Sequence, residues 1–342
     1  MTHTESIPPG ESAAALLPAD WRVSAVAPES PAQAEIIAQT IAGIMHVLAE
    51  SGSDLRSLDG ITLATDCKQT AAEIQQLRAG EIPLERAELP ESLDLGRTVP
   101  VWRDDELRFH IVLRASLGVM AISGKKKDYE LAVASLAHEA AHVEHEGHLY
   151  RQLPQLRARS RECSNCSRAA FIKALDTWSE YSASRSAAIF RPSTLDDLDS
   201  VFAKLLRRSA PACRAIMANC RKHGITPQAF LDLQQLFGDL FIGAGYLLGH
   251  LHGLEWNLDE HAPRAAALLR KLPEMQDVMA RLGKALHLLW LTEYAWDSIE
   301  VFAPVYDLLL ETMELYGLSF HKNNNEEYIV KLRFRPRVGG AS

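Results

Sequence analysis

The order of segments along this chain predicts an α+β protein, because β-rich runs occur before residue 124 and again from residue 328, with helical spacing dominating the stretch between. Three observations carry that prediction. The runs at 98–102, 107–114 and 118–123 are rich in β-branched and apolar residues and are separated by charged or small ones, which suggests a small antiparallel sheet. A long helical pattern at 129–149 follows the charged turn 124–128. Helical patterns then recur at 176–190, 195–208, 212–222, 226–251, 263–272, 274–287 and 302–316. Only the segment YIVKLRFRPR returns to strand.

Each element has a local reason. Residues 1–27 are rich in Pro, Ser, Thr, Glu and Ala without periodicity and read as a mobile tail. Ser30 followed by Pro31 is a helix cap with a favoured first residue, and Ile37, Ile41, Ile44 and Leu48 keep helical spacing until Gly52. GITLA at 60–64 reads as a strand, and the segment after Asp66 as a helix to about residue 79. A loop carrying Pro83 and Pro90 follows. The run 236–251 is apolar but holds Asp239, Gly238, Gly243, Gly245 and Gly249, so it reads as a buried helix and not a membrane span. Arg191 and Pro192 mark a lobe boundary, giving a tail over 1–27, a first domain over 28–191 and a helical C-terminal lobe over 192–342.

Composition narrows the function classes. With 342 residues, 47% hydrophobic and 23% charged, the chain has the balance of a globular protein and can bury a sizeable core. A net charge of -8 disfavours nucleic acid as the main partner. Five cysteines do not make a disulfide framework, and residues 1–20 lack a basic start followed by an apolar stretch, so a cytoplasmic protein without a membrane partner is expected.

One motif carries chemistry. LAHEAAHVEH places His138, Glu139 and His142 as H-E-x-x-H, with both histidines one turn apart on a single helix face and Glu139 about 100° around the axis. Two ring nitrogens can then reach one Zn²⁺ while the carboxylate addresses the water that the metal activates. The 13 histidines and 44 acidic residues lead one to expect only about 0.06 such matches by chance.

On these residues the chain resembles the zincin metallopeptidases. The resemblance implies a minimal zincin-like domain, Zn²⁺ as cofactor, His138 and His142 as ligands, Glu139 as general base and a protein or peptide as substrate. It also implies an edge strand that binds extended substrate, for which GVMAIS at 118–123 is the candidate. Two residues compete for the third ligand position. His148 stands six residues after His142, as in metzincins, but His145 occupies the place of their helix-ending glycine, and a continuing helix would carry His148 about 9 Å along the axis. Glu180 in DTWSEYSASRSAA fits the gluzincin pattern, and W-x-E-Y-x-A-x-R is similar to small bacterial peptidases of the ImmA/IrrE type over residues 58–189. Ser184 stands where thermolysin-like members have Asp. Tyr181 and Arg185 are candidates for stabilising an oxyanion, with helix packing as the alternative.

The remaining features have plain readings. Cys163 and Cys166, even with Cys213 and Cys220, have poor spacing for a structural zinc. His250 and His252 face different ways on one helix. A zinc-dependent peptidase is the expected function, with a regulatory protein as a further candidate partner; a zinc-bound sensor or interaction module that cleaves nothing is the alternative.

Overall fold

The computed structural model describes residues 16–25, 30–76, 95–153, 165–322 and 328–332. The chain divides into two compact units, Met1–Leu84 with Leu89–Gly147 and Glu85–Glu88 with His148–Ser342. That division falls inside the motif helix, whereas the sequence places its lobe boundary near Arg191.

The first unit is a four-stranded sheet with helices on both faces. Strand β1 (Arg22–Ala25) precedes α1 (Pro31–Glu50), then come β2 (Leu58–Ala64), α2 (Cys67–Ile74), β3 (Gly96–Arg103), β4 (Glu106–Arg114), α3 (Ala115–Ala121) and α4 (Lys126–Gln152). The strand order is β1-β2-β4-β3. The β1–β2 and β2–β4 pairs are parallel and only β3–β4 is antiparallel, so the sheet is mixed where an antiparallel one was expected. Crossovers through α1 and α2 make this possible, and no local pattern announces them. Part of the expected tail is strand, since Arg22–Ala25 pairs with Gly60–Leu63 and Leu17 is buried. The β3–β4 turn puts Asp104 and Asp105 at φ 45° and 70°, the left-handed pair that a two-residue hairpin needs.

A second correction concerns residues 118–123. Ala115–Ala121 is helix, not strand, because Leu117, Gly118 and Ala121 form one buried helical face. A side chain at Gly118 would collide with Leu63 of β2 and Ile37 of α1, so glycine lets α3 press between them. The edge-strand role expected for 118–123 is therefore not available there.

The cap at α1 is as expected, with Ser30 accepting from the Gln33 N–H and Gly52 at φ 104° after the last turn. By length and composition alone α1 could cross a bilayer; here Ile37, Ile41, Ile44, Met45 and Leu48 are buried within the unit. Helix α2, capped by Asp66, covers the opposite sheet face over Ala64, Val99 and Val112. On that face runs a cross-strand chain of hydrogen bonds. Ser24 meets Thr62 at 2.9 Å, Thr62 meets His110 Nε2 at 2.8 Å, and His110 Nδ1 meets Asp59 at 2.7 Å, with Arg103 paired to the same carboxylate at 2.6 Å.

The second unit is helical. It comprises α5 (Asn165–Ala187), α6 (Thr194–His223), α7 (Pro227–Gly253), α8 (Leu258–His261), α9 (Pro263–Leu269), α10 (Pro273–Leu291), α11 (Ala303–Leu315) and the hairpin β5 (Leu318–Lys322) with β6 (Tyr328–Leu332). Helix α6 runs continuously through Pro211 where two helices were expected. Helix α7 is the buried helix its composition suggests. Gly245, Gly249 and Gly253 lie on one face, and a Cβ at each would strike the carbonyl oxygens of Thr177, Tyr181 and Arg185 on α5. Backbone thus packs on backbone, which only glycine permits. The Pro83 and Pro90 loop, Cys163 and the arginines 333–337 lie outside the described residues.

Three outcomes are expected. Gly249→Ala should destabilise the protein by about 1–3 kcal/mol in thermal or denaturant unfolding, while Gly43→Ala in α1, where nothing lies within 4 Å, should be neutral or gain up to about 1 kcal/mol. Burial alone would raise the Asp59 carboxyl, but the hydrogen bonds from His110 and Arg103 outweigh it and hold it at about 2. A depressed carboxyl stabilises the fold above its ordinary value of 3.8 and loses that contribution as pH falls toward 2. Asp59→Asn should remove about 1–2 kcal/mol of this pH-dependent stability, measured by denaturant unfolding between pH 2 and 5.

Candidate metal centre

Helix α4 begins after Gly124, at φ 72°, with Asp128 favourable in its first turn, and continues without a break to Gln152. Continuity is what turns the four-residue spacing of His138 and His142 into proximity. Their Nε2 atoms stand 3.2 Å apart, with the rings edge to face at 4.8 Å between centroids. Two ring nitrogens bound at 2.0–2.1 Å to one tetrahedral ion would lie about 3.3 Å apart, so the pair fits a shared metal without rearrangement. With Glu139 added, the ligand atoms of all three residues lie within 4.8 Å of one another. His138, Glu139 and His142 can hold a metal ion.

Glu139 sits at the sheet. It is 4% exposed, and its Oε2 accepts a 2.7 Å hydrogen bond from the Thr98 hydroxyl of β3. The same hydroxyl lies 3.3 Å from the Glu139 carbonyl, which ties strand to helix backbone. Two residues earlier on the same face of β3, a side chain at Gly96 would come within 2.9 Å of Glu139 Cγ, 3.1 Å of its Oε1 and 2.6 Å of Leu113 Cδ2. Glycine at 96 and a hydroxyl at 98 therefore shape the seat for the carboxylate. Neither was singled out from sequence, and the only available signal was their two-residue spacing on a strand whose partner element is unknown until the chain folds. Strand β3, at the end of the sheet order, lies beside the motif helix.

The other candidates are placed as follows. His148 stays on the unbroken α4, and its ring stacks on Tyr294 at 4.3 Å with 3° between planes. Glu180 is buried on α5, as are Asp176, Thr177, Ser179, Ser182 and Ser184 of the same helix. The group formed by His138, Glu139 and His142 lies within the first unit. Arg185 donates to the Tyr181 hydroxyl at 2.7 Å and to His287 Nδ1 at 2.9 Å, and that hydroxyl meets His252 Nδ1 at 2.7 Å. Burial pushes Tyr181 up to about 12, against the charge of Arg185, so it remains a protonated phenol. His250 points elsewhere, with Nε2 3.3 Å from the Pro192 carbonyl, as two-residue spacing on a helix requires. Cys213 and Cys220 are buried free thiols, and burial pushes Cys213 up to about 12, which opposes a thiolate ligand there.

In a titration of Zn²⁺ against a competing chelator, His138→Ala and His142→Ala should each weaken metal binding by at least about a hundredfold, since each removes a ring nitrogen from the group that could hold the ion. Thr98→Ala, which removes no ring nitrogen, should cost less affinity than either histidine variant. Compared with protein-family models, with curated proteins and with solved structures, the chain matches none of them.

Proposed function

We propose that the protein is a zinc-dependent peptidase that hydrolyses a peptide bond in a protein or peptide substrate. The observation that carries this reading is the convergence of the His138 and His142 Nε2 atoms at 3.2 Å, with a buried carboxylate on the next residue whose direction is set by a strand hydroxyl. Two imidazoles, with the Glu180 carboxylate that the gluzincin resemblance adds as third donor, make a set that suits zinc. Zinc, when bound, supplies Lewis acidity that polarises a carbonyl and brings the pKa of a water toward neutrality.

The chain's own residues supply the rest. His138 and His142 hold the ion from one helix face, and the rigidity of α4 keeps their separation constant. Glu139 takes a proton from the attacking water onto its carboxylate and delivers it to the departing amine, so each turnover leaves it ionised again. Thr98 keeps that carboxylate in one rotamer through Oε2, which preserves the distance over which the proton moves. Gly96 leaves the space the carboxylate needs. Resemblance to gluzincins assigns the third ligand to Glu180, and an interaction module with the same metal group but no hydrolysis is the competing reading.

The deciding experiment pairs metal content with hydrolysis of a peptide library. Glu139→Gln should keep zinc and lose about 10² to 10⁴ in rate. Zinc-loaded parent protein that cleaves no peptide in the library would favour the interaction module. In the chelator titration Glu180→Ala should weaken zinc at least tenfold and His148→Ala should leave it unchanged; the reverse result would assign His148 instead.

A further inference from the structure

A cavity of about 670 Å³ lies wholly within the second unit, between the end of α7 and the face of α10, and Arg185, His252, Lys284 and His287 line it together with apolar residues such as Leu248 and Met279. That volume lies in the range of small-molecule sites, and apolar walls with a few convergent polar groups are their usual composition. The charge at its wall is what identifies a ligand class.

Arg185 is half-buried and reaches the cavity from α5. Its guanidinium lies 4.6 Å over the Trp290 ring and 5.9 Å from the Tyr181 ring, and it donates to a hydroxyl and an imidazole. Among the described residues no carboxylate pairs with it. A guanidinium has only donors, so His287 Nδ1 accepts from it and offers it no counter-charge. Burial, and then the charge of Arg185, push the His252 imidazole down to about 4, so at neutral pH it adds neither charge nor a counterion. Lys284, one turn before His287 on α10, is exposed and forms no ion pair among the described residues. Two acids also line the cavity. Asp259 pairs with Arg270 at 3.2 Å, and Glu255 remains. Arg185 and Lys284 against Glu255 leave one positive charge uncompensated.

We propose that this cavity is a binding site for a small organic monocarboxylate with an apolar body, its head held by Arg185 and Lys284 and its body lying along Leu248 and Met279. A half-buried cation without a counterion is costly, and a ligand carboxylate meeting it through charge-assisted hydrogen bonds relieves that cost. Leu248, Met279 and their apolar neighbours would exclude water from the tail. The site is independent of the metal group and of the peptidase reading.

Titration calorimetry of the full chain with octanoate, and with 1-octanol as the uncharged counterpart, tests this. Octanoate should bind at one site per chain with a dissociation constant below about 1 mM, and octanol at least tenfold more weakly. Lys284→Gln, at an exposed position that leaves the fold intact, and Arg185→Gln should each weaken octanoate about tenfold without changing octanol. Ala280→Trp, which fills the cavity from an exposed position on α10, should abolish binding of both. Glu139→Gln should bind octanoate like the parent, which separates failure here from failure of the metal assignment. No saturable octanoate binding, equal affinity for octanol, or indifference to both Lys284→Gln and Ala280→Trp would overturn the proposal.

Discussion

A carboxylate placed in the interior must be given a hydrogen bond and room, and the seat of Glu139 meets both needs from one strand. Thr98 donates to Oε2 at 2.7 Å, and Gly96 leaves the volume that any side chain would occupy. Because the same hydroxyl lies near the Glu139 carbonyl, this contact also fixes the height of α4 on β3, and with it the position of both histidines. Strand β3, which carries both residues of the seat, is the last strand of the order, joined antiparallel to β4 through the Asp104–Asp105 turn, while β1 and β2 add in parallel on the far side.

The second unit is built on a different constraint, the backbone approach of α5 and α7. Three glycines at four-residue spacing remove the side chains that would hold the helices apart. Polar residues of α5 such as Thr177, Ser179 and Ser182 are buried too, and Trp178 and Tyr181 stack at 5.8 Å. The network of Tyr181, Arg185, His252 and His287 is where this core meets the cavity beside α10. A donor-only guanidinium organises it, because every neighbour then has to accept a hydrogen bond or offer an aromatic face.

Periodicity made much of the helical framework legible before folding. The α1 cap at Ser30, the buried character of α7 and the H-E-x-x-H spacing all depend on residues within a few positions of one another, and local spacing is what a sequence states directly. Short apolar runs were less legible. GVMAIS has the composition of a strand, yet the contacts of Gly118 with Leu63 and Ile37 make it a helical turn, an outcome that depends on residues far away in the chain.

What the sequence alone determined, then, is the pairing of His138 with His142 on one helix face and Glu139 beside them, since a helix of fixed pitch leaves no other arrangement. Only the tertiary structure decided what surrounds them. That β3 lies against α4, that Thr98 and Gly96 form the carboxylate's seat, that Arg22–Ala25 is a strand and that Arg185 faces a cavity all depend on contacts between distant segments. Such contacts are selected by packing and by the need to satisfy buried polar groups, and neither quantity exists until the whole chain has folded.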